Sequence, residues 1–192
     1  MMYLLRHGQS QFNVTYSKTK IDPNIPDPEL TSIGRNQIRT AAESLKEKEI
    51  TNILVSPYTR TLQTADIVAD ILKIPIKIES LVHEHAFFSC DIGSTASKLS
   101  KAWPHLDFDN LNEHWWPDLD ETEHQVKLRC HAFQQKMLDL GDWSKTLVVS
   151  HWAFIRSLTG KETINGEILN VNLASLDINP ENKTENTLLG AD

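Results

Sequence analysis

The stretch ITNILVSPYTRTLQTADIVADILKIPIKI, residues 50–78, reads as strand, helix and strand in succession. Ile50 to Val55 is a short apolar run. Ser56-Pro57 then opens a helix whose apolar face is Leu62, Ala65, Val68, Ala69 and Leu72. Pro75 marks the helix end, and Ile74 to Ile78 has the look of a third strand. Two strands joined through a helix run parallel, and a strand without alternation is one that is covered on both faces.

The same grammar extends outward in both directions. Met2-Tyr3-Leu4-Leu5 and Thr146 to Val149 are further buried strands, the first stopping at a glycine-containing turn and the second running into Ser150-His151. A helix begins with Thr31 as N-cap, carries Ile38, Ala41, Ala42 and Leu45 inward, and ends in the charged cluster 46–49. Glu121 to Leu140 reads as a long helix with Val126, Phe133, Met137 and Leu138 inward. Trp152 to Leu158 reads as a short one stopped by Gly160. Val14 to Glu29, broken by Pro23, Pro26 and Pro28, is expected to be a polar loop, and Ile168 to Ile178 an edge strand. The segment from about 81 to 120, rich in aromatic, acidic and turn residues, interrupts the alternation as an inserted cap-like segment with some helix around Thr95 to Trp103. The tail 179–192 is polar and expected to be mobile. The fold expected is an α/β domain over residues 1–192 with a mainly parallel central sheet covered on both faces.

Composition narrows the function. The chain has 192 residues, 40% of them hydrophobic and 23% charged, an ordinary globular balance for one domain. Its net charge of −7 is the wrong sign for a broad nucleic-acid surface, so any phosphate must meet a local basic pocket. Cys90 and Cys130 lie far apart with no CxxC spacing, and no signal-peptide core or membrane span is visible. A reducing, cytoplasmic setting is expected, with neither membrane nor nucleic acid as partner. A cysteine-based phosphatase would need an arginine at the sixth position after its cysteine, where this chain has Ala96 and Lys136. No GxxxxGK[ST] loop is present.

Basic residues follow three of the strands: Arg6-His7, Arg60 one helical turn beyond the second, and His151. In a parallel sheet these converge on the carboxyl edge, where ligands bind. Any one of these residues has a bland structural reading; their convergence points to an anion site. A transferring phosphoryl group needs donors for its nonbridging oxygens and a nucleophile in line with the leaving oxygen. Arg6 and Arg60 suit the holding role, a neutral His7 the nucleophile, and His151, tending toward the protonated form beside an anion, a third donor. Glu84 remains as proton source for the leaving alkoxide and then as base for water.

Leu5-Arg6-His7-Gly8-Gln9-Ser10-Gln11-Phe12-Asn13, Leu30-Thr31 with Gly34 and Gln37, Val55-Ser56-Pro57 through Arg60, Gln63, Thr64 and Ala65, then Glu84, and Val148-Val149-Ser150-His151, resemble in order the motifs of the histidine phosphatase superfamily, the phosphoglycerate mutase-like proteins. The resemblance implies a three-layer α/β/α sandwich and a phosphohistidine on His7. It further implies phosphate binding by Arg6, Asn13, Arg60 and His151, with Glu84 as the acidic catalytic residue and no cofactor or metal. Trp152 stands where the family usually has Gly, Gln9 where Glu is frequent, and His85 where the mutase branch carries Arg. The expected substrate is a small phosphomonoester and the expected reaction hydrolysis. A mutase reaction between phosphoglycerates, or phospho-ligand binding without turnover, are the alternatives. A mutase needs a second cationic clamp, and segment 85–120 offers only Lys98 and Lys101 against Asp91, Asp107, Asp109, Glu113, Asp118 and Asp120, with Lys18 and Lys20 within reach in the early loop. His83-Glu84-His85 lacks the spacing of a metal motif. Trp103, Trp115 and Trp116 read as packing groups.

Overall fold

The computed structural model describes residues 1–141 and 143–178. The expected mobile tail at 179–192 lies outside the described residues. Five strands, β1 (Met2–Arg6), β2 (Asn52–Val55), β3 (Ile76–Ile78), β4 (Thr146–Ser150) and β5 (Ile168–Val171), form one sheet in the order β3-β2-β4-β1-β5. All neighbours are parallel except β5, which runs antiparallel to β1 at the edge. The helices are α1 (Gln11–Thr19), α2 (Ser32–Leu45), α3 (Thr59–Leu72), α4 (Ala96–Ala102), α5 (Glu123–Leu140) and α6 (Trp152–Thr159).

Period-two alternation within the apolar strands divides the core into two layers. Leu5, Ile53, Val55, Leu147 and Val149 pack with Ile38, Ala42 and Leu45 of α2 and Leu62, Ala65 and Val68 of α3. Met2, Leu4, Leu54 and Val148 face the other way, onto Val126, Phe133 and Met137 of α5 and Phe154, Ile155 and Leu158 of α6. The three-layer sandwich therefore rests on the central strands β1, β2 and β4, whose apolar runs meet a core layer on each face.

Register positions the site. Arg6 pairs with Ser150 and Val55 with Val149, so β1, β2 and β4 end level with one another. Beyond those ends, the chain from β1 leads to α2 on one face and the chain from β4 to α6 on the other. Adjacent strands whose connections diverge in this way open a crevice between them, and His7 and His151 are the first residues past the two strands.

Four local expectations are corrected, one being the edge strand expected over Ile168 to Ile178, which stops at Val171 and gives way to a 3-10 turn at Leu173–Ser175. Residues 14–19 are not loop but the greater part of α1: Ser10 caps it, accepting from the Asn13 backbone N–H at 3.3 Å, while Asn13 Oδ1 accepts from the Ser10 backbone N–H at 3.0 Å. This reciprocal capping satisfies helix-end donors that composition does not reveal; the loop proper starts at Lys20, which closes α1 in the left-handed conformation. The helix Ser56-Pro57 was to open begins instead at Thr59. Its cap comes from afar: Asp27, at φ 40°, accepts from the Thr59 backbone N–H at 2.8 Å and from Thr59 Oγ1 at 2.7 Å. Glu121 lies outside α5, which Thr122 and Gln125 cap, and is thereby released for an ion pair.

Candidate active site

The carboxyl ends of β1 and β4 border a cavity of about 340 Å³ lined by Arg6, His7, Asn13, Arg60, Glu84 and Trp152, among others. His151 does not line it. It is wholly buried, its ring edge-on to that of His7 at 5.2 Å between centroids and at a similar distance from Tyr58.

His7 Nδ1 lies 2.7 Å from the carbonyl oxygen of its neighbour Gly8. Only a protonated Nδ1 donates there, so Nε2 keeps its lone pair. Burial, with Arg60 and Arg6 close by, holds the ring neutral by pushing its proton affinity well below that of ordinary imidazole. The turn that presents it is compressed against α2: a Cβ added to Gly34 would lie 2.1 Å from the Gln9 carbonyl oxygen, and one added to Gly8 2.5 Å from that of Gly34.

Arg6 donates through Nη1 to the Thr163 carbonyl, and its Nε is buried without a partner. Burial pushes its pKa down to about 10, which leaves it charged at neutral pH. Arg60 donates to the Cys90 carbonyl at 2.8 Å and to Asp91 Oδ1 at 3.1 Å. Burial opposes its charge, but the surrounding acidic groups, Cys90 and Asp91 foremost, outweigh burial and raise its proton affinity. His151 Nε2 is 2.8 Å from Ser56 Oγ, and its Nδ1 is buried without a partner. Burial, then Arg60 and His7, push the proton affinity of His151 well below that of ordinary imidazole. A neutral ring with Nε2 accepting from Ser56 still offers an Nδ1–H donor. Two buried donors without partners, Arg6 Nε and His151 Nδ1, suit an anion rich in acceptor oxygens.

Asn13 lines the cavity, but its Oδ1 is occupied by Ser10 and by Asn165 Nδ2 at 3.4 Å; the donor left to it is the amide. Asn165, which also reaches the His7 carbonyl at 3.2 Å, was not foreseen, and an Asn in a polar loop gives no sequence signal.

Glu84 is placed by three elements. Its Oε1 accepts from the backbone N–H groups of His85 and Ala153 at 3.0 Å and of Phe154 at 3.3 Å, the last two at the start of α6. These donors favour the carboxylate, yet burial, followed by the charge of Asp91, prevails and raises its pKa. Its own loop is clamped by Arg129 of α5, which donates to the carbonyls of Leu81 at 2.9 Å, His83 at 2.8 Å and Glu84 at 3.4 Å and pairs with Glu121 at 2.9 Å. His83 Nδ1 lies against the Glu84 carbonyl and His85 Nε2 against that of Glu121, His85 also lining the cavity. Asp91, within the acidic segment 85–120, is buried in the site, accepting from Arg60 and from the backbone N–H groups of Phe87 and Phe88. Among the described residues no helix is long and apolar enough to cross a membrane.

The profile of the "Histidine phosphatase superfamily (branch 1)" matches residues 2–177. A "Probable phosphoglycerate mutase GpmB" of Photorhabdus laumondii is 29% identical over 162 residues, covering 83% of this chain and 73% of its own. Among solved structures, Bacillus stearothermophilus YhfR superposes with a TM-score of 0.61 at 21% identity, over 95% of this chain and 96% of its own. A mycobacterial glucosyl-3-phosphoglycerate phosphatase complexed with VO3 does so with 0.56 at 21% identity, over 82% and 77%.

Proposed function

From the chain's membership of the histidine phosphatase superfamily, we propose that it hydrolyses a small phosphomonoester through a phosphohistidine on His7. The observation that carries this reading is the His7 Nδ1 to Gly8 carbonyl contact at 2.7 Å, which directs the lone pair to Nε2 in a cavity shared with Arg6, Arg60 and Glu84.

In the first step the Nε2 lone pair attacks phosphorus and the bond from phosphorus to the ester oxygen breaks. Arg6, Arg60 and the Asn13 amide, which line the cavity, hold the nonbridging oxygens, with His151 packed behind His7. Glu84 gives its proton to the departing alkoxide. Because Oε1 is engaged by three N–H groups, Oε2 is the oxygen that carries it. In the second step water attacks phosphorus, Glu84 takes a proton from it, the P–N bond breaks, and inorganic phosphate leaves with His7 neutral again.

Hydrolysis is favoured over a mutase reaction by the charge of the lining. Its permanent cations are Arg6 and Arg60, accompanied by Glu84 and Asp91; Lys18, Lys20, Lys98 and Lys101 do not line it. Among the described residues a bisphosphorylated intermediate has no second cationic clamp there. His7→Ala is expected to abolish phosphate release and the acid-labile, alkali-stable phosphoenzyme while leaving the circular dichroism spectrum intact. Full activity in that variant overturns the proposal. Efficient interconversion of 2- and 3-phosphoglycerate in the presence of 2,3-bisphosphoglycerate would replace hydrolysis by the mutase reaction.

A further inference from the structure

Besides its charged groups and the polar Gln9, Ser10, Asn13, Ser17, His85 and Asn165, the cavity wall carries five aromatic rings drawn from distant segments. Phe12 and Tyr16 of α1 stack with ring centroids 5.3 Å apart, and Phe88 meets them at 5.6 and 5.0 Å. Phe87 stands edge-on to Phe88 at 5.0 Å. All four line the cavity, and so does Trp152. Phe87 is 58% exposed, so a large apolar side chain that contributes little to the core is held at the cavity rim. Its backbone and that of Phe88 are fixed by N–H bonds to Asp91 Oδ2 at 3.2 and 3.0 Å, which ties the position of both rings to the ion pair at the site.

The leaving-group portion of a substrate thus meets aromatic faces and, among the described residues, no permanent cation beyond the two arginines that the phosphoryl group requires. A carboxylate or second phosphate placed there would be desolvated with only neutral donors to compensate it and would face Glu84 and Asp91. A flat, uncharged group would bury apolar area and stack edge-on or offset against the rings. Resting on the phosphatase reading above, we infer that the leaving group is an uncharged aromatic alcohol, so that arylalkyl and aryl phosphomonoesters are taken in preference to phosphates of polyols and hydroxy acids. The covalent steps are unchanged: the aromatic alcohol departs with the Glu84 proton.

Hydrolysis of 2-phenylethyl phosphate against ethyl phosphate tests this, because both esters release primary alkanols of similar acidity and the comparison isolates the ring. The wild-type kcat/KM is expected to favour the phenylethyl ester by about tenfold or more, about 1.4 kcal/mol, with 3-phosphoglycerate poorer than either. Phe87→Ser, at an exposed position whose replacement spares the core, should reduce the preference at least threefold. Equal kcat/KM for the two esters, a preference for 3-phosphoglycerate, or an undiminished ratio in Phe87→Ser overturns the inference. Phosphate release from both esters at equal efficiency removes this inference and leaves the phosphatase reading standing. No release from any ester together with no inhibition by vanadate removes both.

Discussion

Arg60 and Asp91 form an ion pair at 3.1 Å with both side chains almost wholly buried, and Glu84 lines the same cavity. Two carboxyls and one guanidinium in so small a volume do not all carry charge independently. Burial pushes both acids up, and of the two Asp91 is the one that keeps its charge. Arg60, two backbone N–H groups and the Cys90 thiol at 3.4 Å donate to both of its oxygens. Glu84, with donors on one oxygen and Asp91's charge nearby, retains its proton to higher pH. Paired carboxyls pushed apart by their surroundings are how one site keeps an acid available near neutrality.

Neutralising Asp91 should therefore weaken the acid. In Asp91→Asn the pKa of Glu84 falls, so the alkaline limb of the pH–rate profile for an alkyl phosphate moves to lower pH. Activity at pH 7.5 should drop about tenfold, part of the ~10²–10⁴-fold that a positioned general acid supplies. An alkaline limb that stays in place in a folded variant would show that Asp91 does not tune Glu84.

Arg129 is a positioning residue for the same acid, through its bonds to the loop carbonyls on either side of Glu84. Arg129→Lys keeps the charge but cannot serve three carbonyls and Glu121 together. The expected signature is a large loss of kcat on alkyl phosphates, which need proton assistance, with a much smaller loss in the phosphorylation burst on an aryl phosphate, whose phenolate leaves with little. Glu84→Gln should show the same asymmetry. A purely structural role would lower both rates in parallel.

Gly34→Ala places a methyl group against the Gln9 carbonyl, and backbone cannot yield there as a flexible side chain could. The turn carrying His7 must shift. Overpacking of this kind costs about 1–3 kcal/mol, to be read as a lowered urea midpoint. A fall in kcat should accompany it even well below the midpoint. Unchanged stability would mean that α2 moves aside freely.

Acid should destabilise the protein through its buried histidines. Burial drives His83 down to about 3 and carries His7 and His151 well below 6.5. Below pH 6.5 the unfolded chain therefore binds protons that the native state refuses, and stability falls as pH falls. Each histidine contributes up to about 1.4 kcal/mol per pH unit in that window. Glu84, raised in the native state, acts oppositely: its contribution is present below its unfolded value and is lost as pH rises through the native one. Urea midpoints at pH 7.5, 6.5 and 5.5 should decline, with a shallower slope in His83→Gln. A flat profile would contradict the neutral, buried state of these rings.

The elements readable along the chain are those whose signals are local. β1, β2 and β4 show as apolar runs because each residue there meets a core layer, and Thr31 shows as a cap because its partner, the Gly34 N–H at 3.0 Å, lies three residues on. Arg6, His7, Arg60, Glu84 and His151 are marked in the chain by strand ends and by family motifs. α1 was missed: Val14–Glu29 is polar and proline-broken, and the helix holds through capping of its first turn and burial of Phe12. Nothing local marks Asp91 as the partner of Arg60, 31 residues away, or Arg129 as the clamp on the Glu84 loop, 45 residues away. Nor could residue order tell that His151 would sit against His7 without lining the cavity, with Nε2 spent on Ser56, 95 residues distant. Those relations follow from strand register and from the opposite faces taken by α2 and α6. Both are settled by packing the two apolar layers against one sheet, and a single chain position carries no record of that energy.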